Sequence, residues 1–158
     1  MSGLFVAGQA AGAAAVAGAP PSATAVTVDV RSEYDVAEVI AATNRLCRAR
    51  GAGDVFAAHV ATAASELANN LWMHASRGGQ VRLAWLESAA GRGIEIVAED
   101  DGPGITDVAL ALTEGYSTGG GMGCGLPGVQ RLMDEFAIDS RPGSGTRVVA
   151  RKWLRPRA

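Results

Sequence analysis

The chain has 158 residues, enough for one domain with a real core, and its 48% hydrophobic and 19% charged residues form an ordinary globular balance rich in alanine. A net charge of -2 and a pI near 5.6 supply no basic patch for nucleic acid, and no apolar run reaches the roughly 18 residues that mark a membrane span. Cys47 and Cys124 stand far apart and make neither a disulfide framework nor a zinc site, which favours a reducing, cytoplasmic compartment.

Residues 1–25 are nearly all Ala, Gly, Pro and Ser, with no Lys or Arg. A secretory signal needs a basic start and a bulkier apolar stretch, so this segment reads as a flexible tail before a domain over 26–155. Alternating Val26, Val28 and Val30 predict a strand. Ser32 and Asp35 form a capping-box pattern that starts a helix, with Val36, Val39, Ile40, Thr43, Leu46 and Cys47 at helical spacing. Gly51 is its expected stop. Asp54 is the expected cap of a second helix running to about Ala75. Gly78 and Gly79 turn into a half-buried strand with Val81, Leu83 and Trp85. A turn at Gly91, Arg92 and Gly93 leads into a strand over 94–98. A short helix is expected over 106–112, and another from Gly125 to Phe136 with Leu126, Val129, Leu132 and Met133 on one face. Strands over 138–140 and 146–153 close around Pro142, Gly143, Ser144 and Gly145. Strands and helices mix without a βαβαβ rhythm, which predicts an α+β two-layer sandwich: helices on one face of a mixed, mostly antiparallel sheet.

Three features carry chemistry. In the second helix Glu66 and Asn70 are four residues apart and share a face, at the edge of an apolar stripe of Val60, Ala64, Leu67 and Leu71. A carboxylate and an amide oxygen there suit a hard cation such as magnesium, which takes few protein ligands. Taken alone, the plainer reading is that both are ordinary solvated helix residues. Asp100 shares strand parity with Ile94, Ile96 and Ala98, so it points where the apolar side chains point and needs a donor, such as an adenine amino group. It equally suits a cap on the Gly-Pro turn that follows. Finally, Gly119, Gly120, Gly121, Gly123 and Gly125 make a dense loop before a helix, where bare backbone N–H groups receive an anion. An acid at a strand end followed by a phosphate cradle points to a purine nucleotide.

The motifs occur in a telling order: Glu66-Leu67-Ala68-Asn69-Asn70, then Asp100-x-Gly102-x-Gly104, then Gly121-x-Gly123-x-Gly125, then Gly143-x-Gly145-Thr146. This resembles the GHKL ATPase and kinase superfamily, with its Bergerat ATP-binding fold. Within it the chain resembles the small bacterial anti-sigma regulatory serine/threonine kinases, most of all the RsbT type. Gly115-Tyr116-Ser117-Thr118, Gly125-Leu126-Pro127-Gly128-Val129 and Arg131-Leu132-Met133-Asp134-Glu135-Phe136 carry that likeness. It covers about 26–154.

The resemblance implies ATP and Mg2+ as cofactors. It makes Asn70 the magnesium ligand and Glu66 the general base. It assigns Asp100 to the adenine amino group, with Thr146 near the purine and Gly102, Gly104 and Ile105 shaping the pocket. It places Ser117, Thr118, Gly121, Met122, Gly123, Cys124, Gly125 and Leu126 along the phosphates. Some positions depart from the superfamily pattern. Met73 stands where histidine kinases often carry a basic residue, and His74 follows it. Residues 106–124 contain no Lys or Arg, so no cationic finger reaches the γ-phosphate from that loop.

The implied function is a cytoplasmic protein serine/threonine kinase of a partner-switching stress module. Its substrate is expected to be a STAS-domain antagonist or scaffold protein, and a PP2C-type phosphatase is an expected second partner. The alternative is an anti-sigma factor that sequesters a sigma factor with ATP as a structural ligand. Neither nucleic acid nor a membrane is expected as a partner.

Overall fold

Ser32 ends an extended segment, and the carboxylate of Asp35 reaches back to the N–H groups of Arg31 at 2.8 Å and Ser32 at 3.1 Å. This starts helix α1 (Glu33–Ala49) where the sequence places it. The Arg31 N–H, against an opposing desolvation and with help from the Ser32 backbone and hydroxyl, holds the Asp35 carboxyl below its ordinary range. The chain reverses at Gly51, whose φ of 71° is left-handed. Helix α2 (Asp54–His74) then begins with Gly53 as its N-cap, so Asp54 is the first helical residue and not the cap. Its carboxylate still sits at the positive end of the helix dipole.

The computed structural model describes residues 3–4, 25–75, 77–89, 91–113 and 125–156. Strands β1 (Gly3–Leu4), β2 (Ala25–Val30), β3 (Gly79–Ser88), β4 (Gly91–Asp100), β5 (Glu135–Ser140) and β6 (Thr146–Trp153) form one sheet in the order β1-β5-β6-β4-β3-β2. The β1–β5 pair is parallel and every other neighbouring pair is antiparallel. Helices α3 (Val108–Ala111) and α4 (Gly125–Leu132) complete the elements. This is the expected α+β sandwich.

Period-two alternation decides what the sheet offers each side. Leu83, Ile96, Ala150 and Phe136 align across four strands and are buried beneath the helices with Val39, Val60, Leu67 and Val129. Fully burying a side chain of this kind contributes roughly 1.5–3 kcal/mol. The next residues along the strands face away. Among them Glu95 is fully buried, 2.8 Å from Arg151 and 3.8 Å from Arg82.

Residues 3–4, expected in the flexible tail, form β1 and pair with Glu135 and Phe136, and two further boundaries differ from the sequence reading. Helix α4 stops at Leu132, and Phe136 lies in β5. The Asp134 N–H donates to the Arg151 carbonyl at 2.8 Å, and its carboxylate accepts the Trp153 N–H at 2.7 Å. These bonds to β6 draw the chain into the sheet. Gly91, Arg92 and Gly93 belong to β4, and the β3–β4 ladder closes at Ser88 opposite Gly91. Gly93 is there for close approach: a Cβ would collide with the Lys152 carbonyl and meet Trp153 Cε3 at 2.8 Å.

Candidate nucleotide site

The last residue of β4, Asp100, lies directly opposite the first residue of β6, Thr146. Opposed residues of an antiparallel pair share a face, so the carboxylate and the hydroxyl stand side by side at the helix-covered end of the sheet. Asp100 is half-buried, in keeping with its parity with Ile96 and Ala98. Its Oδ1 accepts the Gly102 N–H at 2.8 Å. The two sequence readings of Asp100 are therefore compatible, because the turn cap occupies one oxygen and leaves acceptor capacity on the other. Burial pushes the Asp100 carboxyl above its ordinary value. The Gly102 N–H opposes that, the neighbouring Asp101 charge adds to it, and the Thr146 N–H opposes it.

Two loops close against each other beside this pair. The Gly143 N–H donates to the Pro103 carbonyl at 2.7 Å, and the Ile105 N–H donates to Ser140 Oγ at 2.7 Å. Gly104, at φ 75°, lies against the Arg141 carbonyl, and Gly145, at φ 82°, lies against the Asp100 carbonyl. A Cβ at either position would collide with that carbonyl, so glycine is needed for both the backbone conformation and the approach. Gly102 packs on the end of α2, where a Cβ would come within 3.2 Å of Ala75 Cα. Ser140 was not among the residues the sequence singled out. Its signal was parity: it shares the inward face with Phe136 and Ile138, a polar residue in an apolar row.

Helix α2 supplies the second wall. Val60, Ala64, Leu67 and Leu71 are buried and anchor it to the sheet. That places Glu66, only 8% exposed, at the edge of the core, with half-buried Asn70 one turn further on. Neither side chain has a hydrogen-bond or ion-pair partner among the described residues. Adjacent Asn69 differs: its Oδ1 accepts the Trp72 Nε1–H at 2.9 Å. Of the two neighbouring amides, Asn70 is the one whose oxygen meets no donor among the described residues. Among the described residues no three His, Cys, Asp or Glu converge, so any cation here would draw most of its ligands from phosphate and water.

Gly125 opens α4 at φ 63°, and buried Leu126 fixes the helix to the core. The other phosphate-side candidates, Ser117, Thr118, Gly121, Met122, Gly123 and Cys124, lie outside the described residues. His74 and Met73 are exposed at the end of α2. Among the described residues no helix is long and apolar enough to cross a membrane.

Known proteins share the sequence pattern and the fold. The histidine kinase-like ATPase domain family matches residues 29–152. The serine/threonine-protein kinase RsbT of Bacillus subtilis is 41% identical over 128 residues, covering 81% of this chain and 96% of RsbT. The anti-sigma F factor of Clostridium novyi is 37% identical over 65 residues, 39% of this chain and 46% of that protein. That of Halalkalibacterium halodurans is 29% identical over 99 residues, 60% and 68% respectively. Two solved structures share the fold. The RsbU and RsbW domains of Rv1364c from Mycobacterium tuberculosis superpose with a TM-score of 0.58 at 21% identity, over 84% of this chain and 32% of that one. The mycobacterial sensor histidine kinase MprB gives a TM-score of 0.50 at 21% identity, over 84% and 99%. The chain belongs to the histidine kinase-like ATPase family, in its RsbT-like serine/threonine-protein kinase branch.

Proposed function

We propose that this serine/threonine kinase transfers the γ-phosphoryl group of ATP to a serine or threonine of a STAS-domain antagonist or scaffold protein. The observation that carries the reading is the pair Glu66 and Asn70: one turn apart, at the core edge, and without partners among the described residues. A carboxylate held near the core without a cation suits a proton acceptor better than a structural ion pair.

The residues present fit the nucleotide and its metal. The Asp100 carboxylate keeps lone pairs for the adenine amino group beyond those that meet backbone N–H groups, and Gly104 and Gly145 lie against the carbonyls of Arg141 and Asp100 beside it. Asn70 would hold Mg2+, which supplies charge neutralisation at the phosphates. The start of α4 at Gly125 would lend N–H groups to the same phosphates. Glu66 takes the proton of the incoming hydroxyl as its oxygen bonds to the γ-phosphorus and ADP departs. Phosphoryl transfer needs mostly positioning and electrostatics, which backbone donors and one metal provide.

The partners we propose are STAS-domain proteins and a PP2C-type phosphatase, in the cytoplasm. The similarity to anti-sigma F factors supports a second reading, sequestration of a sigma factor with ATP as structural ligand. Incubating the purified chain with radiolabelled ATP and a STAS protein, alongside a sigma-factor pull-down, separates the two. Label on the STAS protein is the expected result. Tight sigma binding with no label on any STAS partner overturns the kinase assignment.

A further inference from the structure

The two edges of the sheet are joined by one stretch of chain. Across the ladders Gly3 pairs with Glu135, Glu135 with Arg151, Arg151 with Glu95, Glu95 with Ala84 and Ala84 with Ala25. Gly3 and Ala25 therefore stand at opposite ends of a single row that crosses every strand of the sheet. At about 4.8 Å between neighbouring strands, that row spans roughly 24 Å. Residues 5–24 leave β1 at one edge and enter β2 at the other. A stretch of that length reaches up to roughly 66 Å, ample to cross the sheet.

The two faces of the sheet differ in what covers them. The inner face packs in the core with Val39, Val60, Val108 and Val129, one residue from each helix. Ala84, Val97, Ala137 and Val149 have the opposite parity and lie outside that core. They are nevertheless only 1%, 5%, 7% and 4% exposed. An apolar patch is thus buried on the outer face, on the side away from the helices. Residues 5–24 have the composition to cover it, being rich in Ala with Phe5, Val6 and Val16, and free of Asp, Glu, Lys and Arg. Such a segment crosses an apolar patch without burying a charge. Its backbone groups need polar partners, and Arg82, Glu95 and Arg151 stand on the same face.

We propose that the outer face of the sheet is a docking surface whose occupant is the chain's own segment 5–24. Its two ends are aligned on one row of the sheet, and the patch between them is buried outside the core. Occupied by its own chain, that face is not open to a partner protein. A partner is left the helix layer and the nucleotide end of the sheet.

The test is methyl NMR of the full chain carrying a nitroxide at Ala14→Cys. Cys124→Ser removes the competing thiol, and Cys47 is fully buried and stays unlabelled. A nitroxide erases methyl signals close to it and spares distant ones. The Val97 and Val149 signals are expected to be lost, while those of Val39 and Val60 in the helix layer persist. The same label at Ala19→Cys repeats the measurement and covers the case of a first variant that does not fold. Loss at Val39 and Val60 with Val97 and Val149 spared places the segment over the helices and overturns the proposal. Persistence of all four signals overturns it too. Mixing nitroxide-bearing chain with isotope-labelled chain that lacks the nitroxide tests for a second copy as the host. Signals unchanged in that mixture are expected, and their loss would show docking between molecules and overturn the proposal.

Discussion

Asp100 and Thr146 face each other across the β4–β6 ladder, and the Asp100 carboxylate spends one oxygen on the Gly102 N–H. In Asp100→Asn the amide oxygen would keep the Gly102 bond, which turns its NH2 toward the adenine amino group. Two donors then meet. ATP affinity should fall by about 10- to 100-fold, the scale of a lost hydrogen bond to a charged group, with little change in thermal stability. The acid dependence follows from the same carboxylate. Its pKa is raised, chiefly by burial, so the protonated form appears at a higher pH than in a free aspartate. ATP affinity is full above the folded-state pKa and falls as the pH drops through it. Calorimetry across the acid range should show that fall in the wild type and not in Asp100→Asn.

Asn69 and Asn70 make a matched pair of controls. Asn70→Ala should weaken the magnesium dependence of ATP binding by more than ~10-fold with the fold intact. Asn69→Ala removes only the acceptor of the Trp72 indole and should leave that dependence unchanged. Titrating ATP with and without Mg2+ for both variants reads the difference. Equal effects in the two variants would remove Asn70 from its proposed role.

Gly143 and Gly145 have nearly equal φ angles, 79° and 82°, yet different surroundings. A Cβ at Gly143 meets nothing within 4 Å, whereas one at Gly145 collides with the Asp100 carbonyl. Gly143→Ala should cost only the left-handed penalty of about 1–2 kcal/mol. Gly145→Ala should lower Tm further and also weaken ATP binding, because the displaced atom belongs to the candidate adenine residue. Thermal melts with and without ATP test both parts.

Cys47 is fully buried in α1, and burial pushes its thiol up to about 11. Thiolate is the reactive form, and the folded protein holds almost none of it near pH 8. Iodoacetamide at that pH should modify Cys47 only after denaturant unfolds the chain, as mass spectrometry of the α1 peptide would report.

The antiparallel strands, the helices and the acid-to-glycine order were legible in the sequence because they depend on local spacing, whereas β1 at Gly3–Leu4 was not, because its pairing with β5 is long-range. Strand parity put Asp100 on the core side, and the helical stripe put Glu66 at its edge. The end of α4 was not legible, because the Asp134 bonds to Arg151 and Trp153 come from a strand about 20 residues later. Gly93 reads as a turn residue by type, and only the closeness of β6 explains it. Ser140 was passed over for the same reason. Its parity with Phe136 and Ile138 was readable, but its partners Ile105 and Thr146 meet it only once the two loops close.

The most direct measurement of the central claim is phosphoryl transfer by Glu66→Gln. Glutamine keeps the size and most of the hydrogen bonding of Glu66 and removes its basicity. A positioned general base contributes roughly 10²–10⁴-fold, so radiolabel transfer from ATP to a STAS protein should slow by about that factor. Calorimetry should show ATP and partner binding retained. Transfer at the wild-type rate by a folded, ATP-binding Glu66→Gln variant would contradict the account and strip Glu66 of its proposed role.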